Sequence, residues 1–507
     1  MSGGAVAPGV GWGIHAPPSR TAVHPTASTA ALRCADMRFA VKFLGCKASH
    51  ADAMLARKSL LEAGHEEACE EEAELHVINT CCITGEAEAK SRQSVRRSLK
   101  RAREVYVSGC AVNLRAAQFA QIDHAVRPFT GTAEEVAQAM AGALGACADL
   151  EHEPLVGRSR RAAGPPAPSA SSSISVLSHP SAHSAPHRGA APPRRSLLEA
   201  PSSAAARTRG FVMVQDGCDC HCAYCIIPTV RGRARSRPAS AVLEEVSARV
   251  AQGQPEVVMT GISVGDYRDP EEGLELGELM VRAAHVEGVE RVRLSSVEVI
   301  HVRDSLIAAL REEPKVCPHL HVPMQSGDDG VLSAMGRHYT AAEYLRAIAT
   351  LREAVPQVNL TTDIIVGFPN EDEAAFARTL ALVGEAGISK VHAFSYSPRP
   401  GTVAQALGDR VPPEEKKRRS RELRGLSEVR SRHHRAAKLG GGERVLVDKV
   451  AETQCAGYTA DYTRCYLPAG AARAGELVDV RVRELYADGL CGQPLRGCPP
   501  RLSLADH

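Results

Sequence analysis

The stretch Gly-Cys-Asp-Cys-His-Cys-Ala-Tyr-Cys spans residues 217–225 and directly follows a strand-like run at 211–215. Three of its cysteines have the spacing C-x3-C-x2-C, namely Cys218, Cys222 and Cys225. Three thiolates on one short loop can hold three irons of a cubane iron–sulfur cluster and leave the fourth iron open to an external ligand. The alternative is a structural zinc site, which usually takes four ligands in two separated pairs. We interpret Cys220 as a bystander, because a fourth thiolate in this tight turn would break the three-point geometry.

The chain around this loop, residues 208–440, alternates between strand-like and helical segments. Its strand-like runs are 211–215, 256–260, 291–295, 319–322, 361–366 and 390–395. This alternation predicts parallel strands covered by helices, and six such units fit an incomplete or complete β/α barrel. The loops that follow the strands would line one open face, where ligands bind in such barrels. A basic helical stretch at 411–440 completes the unit.

Residues 37–150 show the same alternation and predict an N-terminal α/β domain with a parallel sheet. Three of its cysteines each stand at or just past the end of a strand-like run, namely Cys46, Cys81 and Cys110. Because the carboxyl ends of parallel strands share one edge of a sheet, we expect these thiols to converge and to hold a second cluster. The alternative is three buried core cysteines, which are common in proteins.

The remaining segments differ in composition. Residues 441–507 carry short strand-like runs separated by glycines, which predict a small all-β barrel. Residues 151–207 contain no Phe, Trp or Tyr, no cysteine and no lysine, so we predict a disordered low-complexity insertion. For residues 1–36 we predict a disordered extension or a mis-assigned start ahead of Met37. The predicted fold class is therefore α/β, with two α/β units followed by an all-β barrel.

The composition limits the possible partners. The 507 residues carry 61 Lys and Arg against 59 Asp and Glu, so nucleic-acid binding would depend on local basic patches. Such patches occur at 90–103, 231–237 and 411–440 and indicate a polyanionic partner.

No apolar run is long enough to predict a membrane-spanning helix. The 16 cysteines, without a secretory signal, indicate metal ligation in a reducing cytoplasm.

The cysteine loop, with Tyr224 before its last cysteine and Ile-Ile-Pro after it, resembles the radical S-adenosylmethionine (SAM) superfamily and, within it, the methylthiotransferases. The resemblance implies a [4Fe–4S] cluster on Cys218, Cys222 and Cys225 as the catalytic centre, with SAM bound to the open iron. Reduction of this cluster, by an electron donor such as flavodoxin or ferredoxin, would cleave SAM to methionine and a 5′-deoxyadenosyl radical.

The N-terminal cysteine blocks resemble those of the methylthiotransferase N-terminal domain, which implies an auxiliary [4Fe–4S] cluster. Its ligands would be Cys46, Cys81 and Cys110. The run Asn-Thr-Cys at 79–81 matches the family's cysteine block, so the resemblance assigns Cys81 as the ligand and not the adjacent Cys82. Two positions depart from the family pattern, since Ser49 stands for the usual Asn and Asn113 for the usual Gln. Both are expected to lie beside the ligands rather than among them.

Further family-like motifs follow in order along the barrel. They occupy residues 260–261, 293–298, 319–327, 335–340, 361–369 and 396–402. Polar groups at the strand ends of such a barrel are expected to contact the ligand. The residues that we expect around SAM are Tyr224, Gly261, Ser296, Glu298 and Gln325.

The C-terminal block resembles a TRAM domain, a small β-barrel that contacts RNA. With the basic patches, this resemblance implies tRNA as the partner. The residues that we expect to contact RNA are Arg92, Arg96, Arg231, Arg233, Arg235 and Tyr458.

The resemblance as a whole implies an enzyme that methylthiolates C2 of N6-threonylcarbamoyladenosine next to the anticodon of tRNA. The auxiliary cluster would supply or carry sulfur, and a second SAM would supply the methyl group. Two related alternatives are the branch that acts on isopentenyladenosine in tRNA and the branch that acts on an aspartate of a ribosomal protein. The arginine-rich run after the cysteine loop disfavours a protein substrate. An alternative from another class is a non-catalytic iron–sulfur or zinc module that binds RNA.

Overall fold

The computed structural model describes residues 37–145 and 208–495. The expectations for 1–36 and 151–207 lie outside these residues. In the described part, two α/β units with parallel sheets are followed by a small closed β-barrel, which confirms the predicted fold class. None of the described helices combines the length and the hydropathy that a membrane span requires.

The N-terminal unit is a five-stranded parallel sheet packed against helices. Its elements are β1 (Arg38–Phe43), α1 (Lys47–Glu62), β2 (Glu66–Glu67), β3 (Leu75–Thr80), α2 (Gly85–Ser98), β4 (Glu104–Gly109), α3 (Cys110–Ala120), β5 (Val126–Pro128) and α4 (Ala133–Gly145). The strand order is β2-β1-β3-β4-β5, and the central strand β3 is buried along its whole length. The register pairs Phe43 with Asn79 and Thr80 with Gly109. Strands β1, β3 and β4 therefore end at the same edge of the sheet.

The second unit is a β/α barrel that does not close. Its elements are β6 (Arg209–Asp216), α5 (Ile227–Arg231), β7 (Arg235–Ser236), α6 (Ala239–Ala251), β8 (Glu256–Gly261), α7 (Leu276–Ala284), β9 (Arg291–Leu294), α8 (Asp304–Glu312), β10 (His319–His321), α9 (Asp329–Ala334), α10 (Ala341–Ala354), β11 (Asn359–Val366), α11 (Glu373–Glu385), β12 (Lys390–Ser395) and α12 (Pro413–Ala436). Parallel strands follow in the order β6-β8-β9-β10-β11-β12, with an isolated bridge between Ser296 and His321 joining the two sheets. Within the described residues β6 and β12 do not pair, so the barrel is incomplete.

The barrel strands have an apolar outer face and a polar inner face. On β6, Val212 and Val214 are buried in the core that the strands share with the helices. On β11, by contrast, Asn359, Thr361 and Asp363 line a central cavity. Since side chains alternate between the two faces of a strand, polar residues at every second position leave an open polar interior instead of a packed core.

The third unit is a closed five-stranded barrel in the order β13-β14-β15-β17-β16. Its strands are β13 (Gly442–Val450), β14 (Gln454–Tyr458), β15 (Arg464–Pro468), β16 (Leu477–Tyr486) and β17 (Gly489–Pro494). Closure leaves no strand edge open to pairing. The loop between β14 and β15, residues 459–463, packs onto the amino ends of the larger barrel's strands. Arg291 Nη1 donates to Tyr458 O at 3.0 Å, and Asn359 Nδ2 donates to Asp461 O at 2.8 Å.

A buried ion pair strengthens the same junction. Arg293 Nε lies 2.8 Å from Glu256 Oε1, and both side chains are 1% exposed. Arg293 Nη1 also donates to Ala460 O at 2.8 Å. The Arg293 guanidinium thus balances the negative charge of Glu256 on β8 and also forms a hydrogen bond to the small barrel.

Replacing this arginine should destabilise the protein far more than replacing a surface arginine. Arg293→Met leaves the buried Glu256 with one remaining ion-pair partner, Arg291 at 3.7 Å, and we expect a loss of about 3 kcal/mol in the free energy of unfolding. The matched control is Arg282→Met, which removes an exposed pair with Glu272 and should leave the unfolding midpoint nearly unchanged. Denaturant unfolding followed by circular dichroism measures both. Equal losses in the two variants would contradict a role for burial.

Candidate functional site

The cysteine loop at 217–225 leaves β6 through a glycine that the local backbone requires. Gly217 has a φ of 71°, and a Cβ there would lie 1.9 Å from the carbonyl oxygen of Arg233. The backbone N–H of Cys218 donates to Gly232 O at 3.1 Å and closes the loop. The three thiols held in this way are all half-buried, namely those of Cys218, Cys222 and Cys225.

Gln215 fixes the start of the loop to the neighbouring strand β8. Its Nε2 donates to Gly217 O at 2.8 Å, and its Oε1 accepts the backbone N–H of Ser263 at 2.8 Å. A Cβ at Gly261 would lie 2.9 Å from Gln215 O. Gly261, which we expected near SAM, is therefore needed for close packing of the two strands, and it also lines the central cavity.

Arg337, which we did not predict as a site residue, contacts the cysteine loop directly. Its Nη1 donates to Cys222 Sγ at 3.4 Å, and its guanidinium pairs with Glu298. The Arg337 side chain is only 4% exposed. Glu298, expected to face SAM, is thus held by this arginine. The only sequence signal for Arg337 was its place in the family-like motif at 335–340. Its neighbours in sequence do not indicate that its guanidinium lies near Cys222.

Cys220 shares a hydrogen bond with Cys218. This bond raises the pKa of the Cys220 thiol and lowers the pKa of Cys218. Cys220 therefore retains its proton while Cys218 more readily becomes a thiolate. Burial raises the pKa of Cys225 to about 11. The role of Cys220 as a bystander stays a prediction.

Three other residues expected around SAM lie near the loop or the cavity. Ser296 lines the cavity. Gln325 has a φ of 64°, a value uncommon for a non-glycine residue, and its N–H donates to Asp363 O at 2.9 Å. Such conformations cost energy and concentrate at functional sites. Tyr224 packs against the apolar cluster that contains Phe368, and burial raises the pKa of its hydroxyl.

The N-terminal thiols stand where β1, β3 and β4 end. Cys46 is exposed, whereas Cys81 and Cys110 are buried. A Cβ at Gly45, whose φ is 115°, would lie 2.9 Å from Cys81 Sγ, so the first two cysteine loops touch. Burial raises the pKa of Cys110 to about 12, although Arg231 acts in the opposite direction. In the described residues, no group of three or more His, Cys, Asp or Glu side chains is arranged to hold one metal ion. Both sets of cluster ligands therefore stay predictions.

The two positions that depart from the family pattern support these loops. Ser49 Oγ lies 2.6 Å from Asn79 Oδ1 and 2.7 Å from Leu44 O, so it joins the first loop to the second. Asn113 Nδ2 donates to Val230 O at 2.8 Å and connects α3 to α5. Both residues thus contact the backbone around the thiols and not the thiols themselves.

Arg231 joins the two cysteine sets. Its Nη2 lies 2.5 Å from Asp52 Oδ2 on α1, its Nη1 lies 2.9 Å from Asp216 Oδ1, and its Nε donates to Cys110 Sγ at 3.2 Å. The side chain is 6% exposed. Burial raises the pKa of Asp52 to about 6 in spite of this partner. We expected Arg231 to contact RNA, but its burial between two carboxylates is the arrangement of an internal bridge, not of a surface phosphate contact.

The other residues expected to contact RNA lie in different settings. Arg96 and Arg233 are exposed. Arg92 pairs with Glu88 at 2.7 Å, and Arg235 pairs with Asp216 at 2.6 Å. Tyr458, proposed to stack on a base, is half-buried and stacks on Tyr462 with ring centroids 4.8 Å apart. Arg233 also lies 3.6 Å from Asp219, so ion pairs hold three of these residues and a ring stack holds Tyr458.

A cavity of about 630 Å³ lies inside the barrel and is lined by all three units. The N-terminal unit contributes Cys46 and Lys47, and the small β-barrel contributes Tyr458 and Tyr462. Most of the remaining lining is polar and includes Thr260, Ser295, Ser296, His319, His321, Asn359, Thr361, Asp363, Ser389, Lys390 and His392. Burial, followed by the charges of Arg293 and Arg209, lowers the pKa of Lys47 to about 8.

Two sequence profiles match the chain. The profile described as Radical SAM superfamily matches residues 212–383, and the profile described as Uncharacterized protein family UPF0004 matches residues 38–131. The first match includes the cysteine loop and most barrel strands. The second includes the three strand-end cysteines of the N-terminal unit.

Curated relatives share these regions. Threonylcarbamoyladenosine tRNA methylthiotransferase MtaB of Thermotoga maritima is 40% identical over 286 residues, 56% of this chain and 65% of that protein. The protein of the same name from Bacillus subtilis is 30% identical over 448 residues, 87% of this chain and 92% of that protein. tRNA-2-methylthio-N(6)-dimethylallyladenosine synthase of Trichlorobacter lovleyi is 40% identical over 292 residues, 57% of this chain and 67% of that protein. The chain thus spans about two thirds of the first and third relatives and nearly all of the second.

Gly217→Ala should displace the cysteine loop, and Gly253→Ala is its matched control. Both glycines have positive φ, 71° and 79°, but only at position 217 would the new Cβ meet another atom. Alanine at 253 costs about 1 kcal/mol in the left-handed region, whereas alanine at 217 must also move the Arg233 carbonyl. We expect Gly217→Ala to lower the unfolding midpoint further and to lose about half of the reconstituted iron. Equal stability and iron content in the two variants would contradict this role of the close approach.

Proposed function

The chain belongs to the radical SAM methylthiotransferase family, and from this premise we propose that it methylthiolates C2 of N6-threonylcarbamoyladenosine next to the anticodon of tRNA. Membership rests on the two matched profiles and on the near-full-length relative. The relatives are named for two different adenosine modifications, threonylcarbamoyl and dimethylallyl. The choice between these two substrates must therefore come from the site.

The cysteine loop fits a cubane cluster with one open iron. Its donors are three thiols on one closed loop, and the N–H of Arg337 points at one of the sulfurs, Cys222 Sγ. Hydrogen bonds to cluster sulfurs tune such centres. When bound, the cluster and SAM supply the one-electron chemistry that side chains cannot perform. We propose Tyr224, Ser296 and Gln325 as residues that orient SAM beside this loop.

The N-terminal thiols fit a second cluster. Cys46, Cys81 and Cys110 come from neighbouring strand ends, and Cys110 Sγ accepts a hydrogen bond from Arg231. Arg231 provides a positive charge where thiolates would otherwise repel one another. Because this arginine follows the cysteine loop in sequence, the same side chain couples the position of the second thiol set to that of the first.

The polar lining of the cavity supports threonylcarbamoyladenosine as the substrate. The cavity's volume of about 630 Å³ lies in the range of small-molecule sites. Hydroxyl, amide, imidazole and ammonium groups line this surface beside apolar area that includes Ala48, Phe394 and the rings of Tyr458 and Tyr462. A dimethylallyl group would leave these polar groups without partners, which costs free energy. A threonylcarbamoyl group carries a urea, a hydroxyl and a carboxylate that can satisfy them.

The exposed Arg96 and Arg233 are our proposed contacts to the tRNA backbone. An electron donor such as flavodoxin or ferredoxin is the proposed redox partner. A tRNA substrate requires a compartment that contains tRNA, and we propose the cytoplasm.

Iron analysis tests the two proposed ligand sets. Two cubane clusters correspond to about eight irons per chain, and we expect about four in both Cys81→Ala and Cys222→Ala. Cys220→Ala is the matched control from the same loop as Cys222 and should keep both clusters. The measurement is the iron and sulfide content of anaerobically reconstituted full-length protein, with electron paramagnetic resonance to separate the two sites. Loss of a cluster in Cys220→Ala would overturn the proposed open iron.

Nucleoside mass spectrometry tests the substrate. In cells that lack this gene, 2-methylthio-N6-threonylcarbamoyladenosine should disappear from tRNA and should return when the gene is restored. If only the dimethylallyl derivative or only the ribosomal protein loses its methylthio group, the proposed substrate is wrong. The reduced, reconstituted protein should also form 5′-deoxyadenosine from SAM. If no 5′-deoxyadenosine forms, the enzyme hypothesis is wrong and the result favours the alternative of a non-catalytic RNA-binding module.

A further inference from the structure

Lys47 projects into the central cavity from the first position of α1. It lines the cavity beside Cys46, and the charges of Arg293, Arg209 and Glu256 are close enough to act on it. Among the described residues its ammonium group forms no ion pair with a carboxylate, although the charge of Glu256 acts on it. A cation inside a barrel without a counterion is costly, so its position needs an explanation.

The neighbouring carboxylates are already committed to other cations. Glu256 lies 2.8 Å from Arg293 Nε and 3.7 Å from Arg291 Nη1. Asp448 lies 3.3 Å from Arg209 Nη2. Glu256 and Asp448 are thus each paired with arginine, and Lys47 pairs with neither of them. The local field favours an incoming anion.

Three buried polar atoms of residues in the wall of the same cavity also lack hydrogen-bond partners. They are Ser295 Oγ, His319 Nδ1 and Asn359 Oδ1. Their residues are 7%, 4% and 6% exposed, and all three line the cavity. Buried polar atoms are nearly always satisfied, so the hydrogen bonding of this wall is incomplete.

We infer that Lys47 binds a carboxylate of the substrate and thereby selects an adenosine with an anionic N6 substituent over one with a neutral substituent. The inference rests on the proposed function, because the threonylcarbamoyl group carries such a carboxylate and the dimethylallyl group does not. Lys47 is a specificity-determining residue in this scheme.

Binding of three anticodon stem-loop RNAs to the full-length protein tests this role. One RNA carries N6-threonylcarbamoyladenosine, the second carries its methyl ester, and the third carries dimethylallyladenosine. The ester keeps the size and hydrogen-bonding groups of the first but removes its charge. Wild-type protein should bind the acid about tenfold to a hundredfold more tightly than the ester, as expected for a charge-assisted hydrogen bond. Fluorescence anisotropy gives the dissociation constants.

Variants of two lysines on α1 complete the test. Lys47→Met should bind the acid and the ester equally, while Lys47→Arg, which keeps the charge, should still prefer the acid. The control is Lys58→Met, because Lys58 is exposed on the same helix and its ammonium lies 3.7 Å from Glu62. Lys58→Met should discriminate as wild type does. Iron content, measured for each variant, detects any damage to the adjacent Cys46 site.

The outcomes separate this inference from the proposed function. If wild type methylthiolates the threonylcarbamoyl RNA but binds acid and ester alike, the role of Lys47 is overturned and the proposed function stands. If wild type methylthiolates only the dimethylallyl RNA, both are overturned. If Lys47→Met weakens binding of acid and ester to the same extent, Lys47 is structural and the inference fails.

Discussion

A single guanidinium, that of Arg231, holds the two cysteine sets of this protein in one frame. It ends the short helix after the cysteine loop and reaches Asp52 on α1 and Cys110 at the start of α3. Buried ion pairs add little net stability, but an unpaired partner is strongly disfavoured, so the pair fixes geometry. Because the hydrogen bond from Cys218 N–H to Gly232 O closes the loop, any movement of the N-terminal unit would pull directly on the loop that carries Cys218, Cys222 and Cys225.

A second arginine also connects the larger barrel to the N-terminal unit. Arg399 follows β12, and its Nη2 pairs with Glu88 at 3.2 Å and donates to Cys82 O. At the base of the barrel, Arg291 and Arg293 donate to backbone carbonyls of the β14–β15 loop. Tyr462, at the tip of that loop, has a φ of 67° and lies over His319. The central cavity is thus enclosed by contacts between units, and no unit contains the whole site.

The sequence predicted the elements well where the signal was local. Each predicted barrel strand coincides with an observed one, and the three N-terminal cysteines stand at strand ends as expected, because periodicity and strand direction are set by neighbouring residues. The arginine run was harder to interpret, since Arg231 points inward whereas the Arg233 side chain is 92% exposed. Arg337 and Lys47 escaped prediction for a related reason, as their neighbours in space lie far away in sequence.

The sequence by itself determined the family, the fold class and the two sets of cysteines. The spacing of a motif and the periodicity of a strand depend only on residues that are close together in sequence. Only the tertiary structure decided which charged residues are surface contacts and which are internal bridges, and that the barrel interior is polar. The physical reason is that an ion pair or a cavity wall depends on distances between remote segments. Those distances exist only after the three units have packed around their common space.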